Sequence, residues 1–161
     1  MTRFLTRCAV VALVLGACVG CDQIAKSAAR EYLPGTGVHS YLADTLRLEY
    51  AQNPGAFLNL GATLSPAVRY DSLIIGVGVF VLALLLWAVA AARLTWLQRL
   101  ALAAVGAGGL GNLIDRIRFD GAVTDFLNLG LGPLRTGIFN VADAILTLGA
   151  VLLLISLRAR Q

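Results

Sequence analysis

The stretch LVLGACVGCDQIAKSAAR, Leu13 to Arg30, decides the fold, because it can be read in two opposite ways. Arg3 and Arg7 precede an apolar run, and Leu15-Gly16-Ala17-Cys18 has the small-residue pattern at which bacterial lipoprotein leaders are lipidated and cut. On that reading Cys18 begins a soluble mature domain. On the other reading the run is the first of several membrane helices, and Asp22 to Arg30 is its polar end.

The rest of the chain chooses between them. Of its 161 residues 58% are hydrophobic and 14% charged, with a mean hydropathy of +0.80, so lipid is the solvent for most of the chain. Four windows approach the roughly 20 helical residues needed to cross about 30 Å of hydrocarbon. They are residues 4–21, 72–92, 94–114 and 139–157. A cleaved lipoprotein has one such segment; three more follow here, which predicts an all-α integral membrane protein with four transmembrane helices forming a single membrane-embedded domain. Cys8, Cys18 and Cys21 then share the first helix and imply no disulfide framework. Cys18-Val19-Gly20-Cys21 matches a redox C-x-x-C but lacks the strand–helix unit that such sites use.

Lys and Arg in the short loops set the orientation. Arg3, Arg7, Arg93, Arg99, Arg158 and Arg160 fall on one side. Lys26, Arg30, Arg47, Arg69, Arg116, Arg118 and Arg135 fall on the other, together with all nine acids or near them. The basic pair before the first helix and the uncompensated pair after the last place both termini in the cytoplasm. The net charge of +4 is a topology signal. No basic patch with interleaved aromatics points to nucleic acid.

Two external segments result, residues 31–69 and 118–137. Leu46, Leu48 and Tyr50 alternate with Arg47 and Glu49, the period of a half-buried strand. Asn53-Pro54-Gly55 supplies a turn from which Ala56-Phe57-Leu58 can return as a second strand. A small β-sheet on the external membrane surface is expected. Ala122 to Leu127 either joins it or dips into the interface. The second helix has no ionisable residue and serves packing. In the third, Gly106, Gly108, Gly109 and Gly111 are read as close-approach surfaces between helices.

Ionisable side chains in hydrocarbon are costly and ask for a partner or a purpose. Asp22 and Lys26, spaced i, i+4, suit an ion pair ending the first helix. Asn112, Asp115 and Arg116 share a face near the external end of the third helix. Asn140 and Asp143 share a face in the first turn of the fourth, Asn140 being the candidate cap. Asp125, on the loop between, can reach the same level. Two neighbouring carboxylates cannot both ionise cheaply, so one keeps a proton while the other is a base, which is what water activation needs. His39 is the only histidine, so an H-E-x-x-H zinc site and a Ser–His peptidase lack parts. No metal or cofactor is expected.

Five blocks carry a resemblance. Asp22-Gln23-Ile24-Ala25-Lys26, Asn53-Pro54-Gly55-Ala56-Phe57, Gly111-Asn112-Leu113-Ile114-Asp115-Arg116, Val123-Thr124-Asp125-Phe126 and Phe139-Asn140-Val141-Ala142-Asp143 resemble, in order, the signature blocks of the lipoprotein signal peptidases, the aspartyl or type II signal peptidases of bacteria. The resemblance implies an external sheet cradling the substrate. It implies cleavage of diacylglyceryl-modified prolipoproteins just before the lipidated cysteine, without a metal. By position Asp125 and Asp143 match the catalytic pair. Asn53, Asn112, Arg116 and Asn140 match residues lining the site, and Asp22 and Lys26 match the motif ending the first helix. Asp115 is assigned a supporting role.

Two departures stand out: the family usually has Thr where this chain has Ala25, and an extra Ala before the Phe of the second block. Both bear on the substrate cradle and neither on the catalytic pair. The expected protein is a monomer in the bacterial cytoplasmic (inner) membrane, its site at the external, periplasmic face and its partners prolipoprotein and lipid. The rival readings are a catalytically silent homologue that binds lipidated signal peptides, and a small transporter relaying protons through Asp115 and Asp143.

Overall fold

The computed structural model describes residues 1–55 and 65–159. Its elements run α1 (Thr2–Tyr32), β1 (His39–Tyr41), β2 (Leu46–Asn53), α2 (Pro66–Tyr70), a π-helical turn (Asp71–Gly76), α3 (Val77–Ala90), α4 (Trp96–Arg118), β3 (Val123–Leu131), β4 (Leu134–Arg135) and α5 (Val141–Arg158). The stretch from α2 to α3 is one continuous helical rod, which makes four helices long and apolar enough to cross a membrane.

The helices outrun the apolar windows. α1 extends eleven residues past residue 21, because Asp22 to Tyr32 contains good helix formers and no breaker before Pro34-Gly35. At about 1.5 Å per residue its 31 residues span about 46 Å, well beyond the hydrocarbon, so the apolar window measured the membrane and not the helix. The second rod begins at Pro66, inside the segment expected to be external and irregular. Pro66 takes the first helical position, where its missing N–H costs nothing, and Ser65 caps it by accepting from the Val68 amide. α4 starts at a capping box in which Thr95 and Gln98 each accept the other's backbone N–H.

α4 is the axis of the bundle and packs against α1, α3 and α5. Glycines set these approaches. A Cβ at Gly108 would lie 2.4 Å from the Ala142 carbonyl oxygen, and one at Gly149 would lie 2.8 Å from that of Ala101, so α4 and α5 touch backbone to backbone. Gly106 and Gly109 admit Leu85 and Val81 of α3. The packing reading of the glycine run holds. The apolar core gathers Val11, Ala88, Leu102 and Ala103 from α1, α3 and α4. Cys18 is half-buried and not enclosed, with all three cysteines free.

The four strands form one antiparallel sheet in the order β1-β2-β3-β4. β2 arises where the alternation predicts it. Its residues are nearly all half-buried, however, so neither face is clearly the inner one. Ala122 to Leu127 joins the sheet: β3 pairs with β2 through Leu48↔Leu127, Ala51↔Asp125 and Asn53↔Val123. Between the first two pairs Glu49 and Tyr50 oppose Phe126 alone, a bulge beside Asp125 that bends the strand. The expected return strand Ala56-Phe57-Leu58 lies outside the described residues. Leu42, Ala43 and Asp44, linking β1 to β2, all have positive φ of 52° to 65°. Asp44 fastens this strained turn by accepting from Arg47 at 2.7 Å and Arg135 at 3.4 Å.

Candidate active site

Two acids on different elements are brought together by amides. Asn140 caps α5 in an extended conformation, its side chain accepting from the Asp143 amide at 2.9 Å while Asp143 Oδ2 accepts from the Asn140 N–H at 3.2 Å. The Asn140 side-chain NH2 donates to Asp125 Oδ1 at 2.7 Å and to Asn112 Oδ1 at 3.1 Å. Asn112, from α4, donates to Asp143 Oδ1 at 2.8 Å, and Asn53, ending β2, donates to Asp125 Oδ2 at 3.0 Å. Every carboxylate oxygen of Asp125 and Asp143 thus accepts from an amide. Asp143 serves both as capping partner and as a member of this pair, so its position at the start of α5 has two uses.

The chain places these groups by local means. The backbone N–H groups of Phe126 and Leu127 donate to the Phe139 carbonyl, and Phe139 N–H donates to that of Leu127. This short run alongside β3 ends on Asn140 and so sets it next to Asp125. Asp125 and Asn140 are 2% and 0% exposed, yet Asp143 and Asn112 keep partial access. Burial, aided by the nearby Asp143 charge, pushes the Asp125 carboxyl up to about 6, against the lowering effect of its bonds from Asn53 and Asn140 and of the Lys26 charge.

Asp22, Lys26 and Asp115 form a second, buried network. Lys26 Nζ lies 3.0 Å from Asp22 and 3.6 Å from Asp115, and donates to Asn112 Oδ1 at 2.9 Å. That last bond fixes which end of the Asn112 amide faces Asp143. Asp22 Oδ1 accepts from the Ala142 N–H at 2.8 Å, so α1 satisfies an orphan donor in the first turn of α5. Gly111 makes this possible, since a Cβ there would lie 2.7 Å from Asp22 Oδ2. Asp115 Oδ2 accepts from the Thr124 N–H at 2.9 Å and so fastens the strand residue preceding Asp125. Asp115 therefore turns into a cluster of cations, between Lys26 and Arg30.

Sequence reading missed two members of this network. Gln23 donates to Asp22, Asp115 and the Gly111 carbonyl, and Arg30 donates to Thr124 Oγ1 while lying 3.6 Å from Asp115. Arg30 carried a signal, for Asp22, Lys26 and Arg30 recur every four residues on one helix face. Arg116 was expected to meet substrate. Its Nη2 donates to the Gly55 carbonyl at 2.8 Å, its buried Nε has no partner among the described residues, and the residue also lines the groove beside Asp143.

Two openings flank the pair. A pocket of about 370 Å³ joins Asp125 to Ala51, Asn53, Pro54 and Ile138 on the strand side. An apolar groove of about 450 Å³ joins Asp143 to Leu73, Val77, Leu146 and Val151 between the helices. An extended chain passing from groove to pocket would cross both carboxylates.

Comparison with known proteins agrees with this arrangement. The family model for signal peptidase (SPase) II matches residues 14–159. A lipoprotein signal peptidase of Streptococcus pneumoniae is 31% identical over 92% of this chain and 92% of its own length, and one of Desulforapulum autotrophicum is 34% identical over 93% and 90%. Two solved structures of bacterial membrane enzymes, at 2.3 Å and 1.9 Å, superpose with TM-scores of 0.80 and 0.76 at 26% identity. The first covers 94% of this chain and 88% of its own, the second 92% of each. The class is that of aspartic peptidases built as multi-pass bacterial membrane proteins. Within it, the chain belongs to the signal peptidase II family, whose work is the removal of signal peptides from prolipoproteins.

Proposed function

We propose that this chain cleaves diacylglyceryl-modified prolipoproteins just before the lipidated cysteine, using Asp125 and Asp143 to activate water. The observation that carries the reading is the amide bridge that sets two carboxylates side by side, one buried and one open to the groove. Burial and the Asp143 charge favour the protonated form of Asp125, so Asp125 is the acid and Asp143 the base. Asp143 takes a proton from water, the hydroxide attacks the scissile carbonyl carbon, and Asp125 gives its proton to the carbonyl oxygen. In the collapse of the tetrahedral species the C–N bond breaks, the leaving amine takes the proton held by Asp143, and Asp125 recovers its own from the hydroxyl. Asn53, Asn112 and Asn140 hold the carboxylates and the substrate backbone, and Arg116, which lines the groove and holds the Gly55 carbonyl, offers its guanidinium to a substrate carbonyl.

The chain acts as a single membrane-embedded domain and as a monomer, with both termini cytoplasmic and the sheet and carboxylates at the periplasmic face of the inner membrane. That placement suits a substrate whose acyl chains stay in lipid while its scissile bond meets water. The apolar groove beside Asp143 takes the signal-peptide side and the strand-side pocket the mature side.

The test is cleavage of a diacylglyceryl-modified prolipoprotein by the purified protein in detergent, with chelator, beside Asp125→Asn and Asp143→Asn. Cleavage by the wild type alone is expected, each variant losing at least about 10³-fold because acid and base act as a unit. Binding without cleavage by all three would instead make the chain a silent carrier of lipidated signal peptides.

A further inference from the structure

The end of the bundle opposite the carboxylates holds a second site. Here α1 begins and the link from α3 to α4 turns, and a cavity of about 360 Å³ opens between them. Arg3, Thr6 and Arg7 of α1 face Leu94, Trp96 and Arg99 across it. Arg99 is 2% exposed, donates to the Ala91 carbonyl at 2.9 Å and the Val89 carbonyl at 3.4 Å, and lies 5.6 Å from the centre of the Trp96 ring. These bonds cap the last turn of α3 but leave the guanidinium charge without a carboxylate among the described residues. Arg7 stands close enough for its charge to act on Arg99.

No aspartate or glutamate answers these three cations. None of the nine Asp and Glu side chains lies in residues 1–21, 72–114 or 144–161, the parts of the chain that build this end. A buried cation in hydrocarbon surroundings is costly unless an anion joins it. Guanidinium groups match phosphate oxygens in geometry as well as charge, and basic pockets between membrane helices suit phospholipid head groups. Trp96 is 53% exposed, an amphipathic ring of the type found at head-group depth.

We infer that Arg3, Arg7 and Arg99 bind the phosphate of an anionic phospholipid, whose acyl chains leave past Trp96 and Leu94. The lipid would tie the start of α1 to the α3–α4 turn, closing the one end of the bundle where like charges push these elements apart. Asp125, on β3, and Asp143, in the first turn of α5, lie beside the far end of α4, so the site is separate from peptide cleavage.

The test uses the full chain, delipidated in neutral detergent, with Trp87→Phe so that Trp96 is the sole tryptophan. Its emission is titrated with dioleoylphosphatidylglycerol, dioleoylphosphatidylcholine or sodium phosphate. Substituting the buried Arg99 would endanger the α3 cap, so the deciding variant is Arg3→Gln with Arg7→Gln. Saturable binding of phosphatidylglycerol is expected, at least about tenfold tighter than phosphatidylcholine and weakened at least about tenfold in the double variant, whose lipid-free melting temperature holds or rises as the like charges are removed. Displacement of the lipid by millimolar phosphate would support recognition through the phosphate. Equal binding of the two lipids, or an unaltered double variant, would overturn the proposal. So would saturation by sodium phosphate with no response to lipid, which would make this a free-anion site.

Discussion

α3 and α4 lie side by side and solve opposite problems. The rod containing α3 has a mean hydropathy of 2.8 with 11% of its apolar window buried, whereas α4 has 1.2 with 61% buried. In water the more apolar helix would be the inner one. Here the solvent outside is lipid, so α3 shows it Leu82, Leu86 and Trp87 while α4, wrapped by α1, α3 and α5, can afford glycines, Asn112, Asp115 and Arg116. Low hydropathy in a membrane helix thus marks the inside of the bundle.

The comparison breaks most sharply at Lys26, the cation that α1 sends to α4. Lys26→Met leaves Asp22 and Asp115 buried without their shared partner, and a loss of about 3–5 kcal/mol is expected. A thermal melt in detergent should show it, and cleavage should fall further than stability alone explains because Asn112 loses the bond that orients it toward Asp143. Gly108→Ala follows, at about 3 kcal/mol, since its methyl would meet the Ala142 carbonyl oxygen and force α5 away. Gly78→Ala on α3 is the matched control: its methyl would meet only Leu113 Cδ2, at an ordinary 3.6 Å, so the melting temperature should hold or rise. A similar fall in both glycine variants would refute the view that α4 is more closely packed than α3.

Asn53→Ala sharpens the comparison from the sheet side. Its bond lowers the Asp125 carboxyl, which burial and the Asp143 charge push up to about 6, so its loss moves that carboxyl further upward. With Asp125 as the acid, kcat/KM falls as pH rises through about 6 in the wild type, and the variant's fall should come at higher pH. A fall on the acid side instead would exchange the roles of Asp125 and Asp143. The smallest effect belongs to Leu82→Ala on α3, 59% exposed to lipid, which should cost less than about 1 kcal/mol because lipid replaces the lost methyl contacts.

Much of this was legible in residue spacing. The four spans followed from apolar length, the Asp22–Lys26 pair from i, i+4 spacing, the Asn140 cap from its place before an apolar helix, and the close helix contacts from the glycines. Asp125 was harder, because nothing local in Val123-Thr124-Asp125-Phe126 says whether the run joins a sheet. That depended on β2, seventy residues earlier, and on the Phe139 segment running beside β3.

By itself the sequence determined which parts of the chain enter lipid and which polar groups share a helix face, because hydrocarbon thickness and helical period are constants. Only the tertiary structure decided which neighbour meets each face. Asn112 and Asp115, one turn apart on α4, part company: the first reaches Asp143, the second turns to Lys26 and Thr124. Arg116, the next residue, reaches the Gly55 carbonyl just after β2, a contact that no helix period could foretell. A helix period fixes a direction to within a side chain's width, and at that distance one donor more or less on the facing element settles which partner a polar side chain takes.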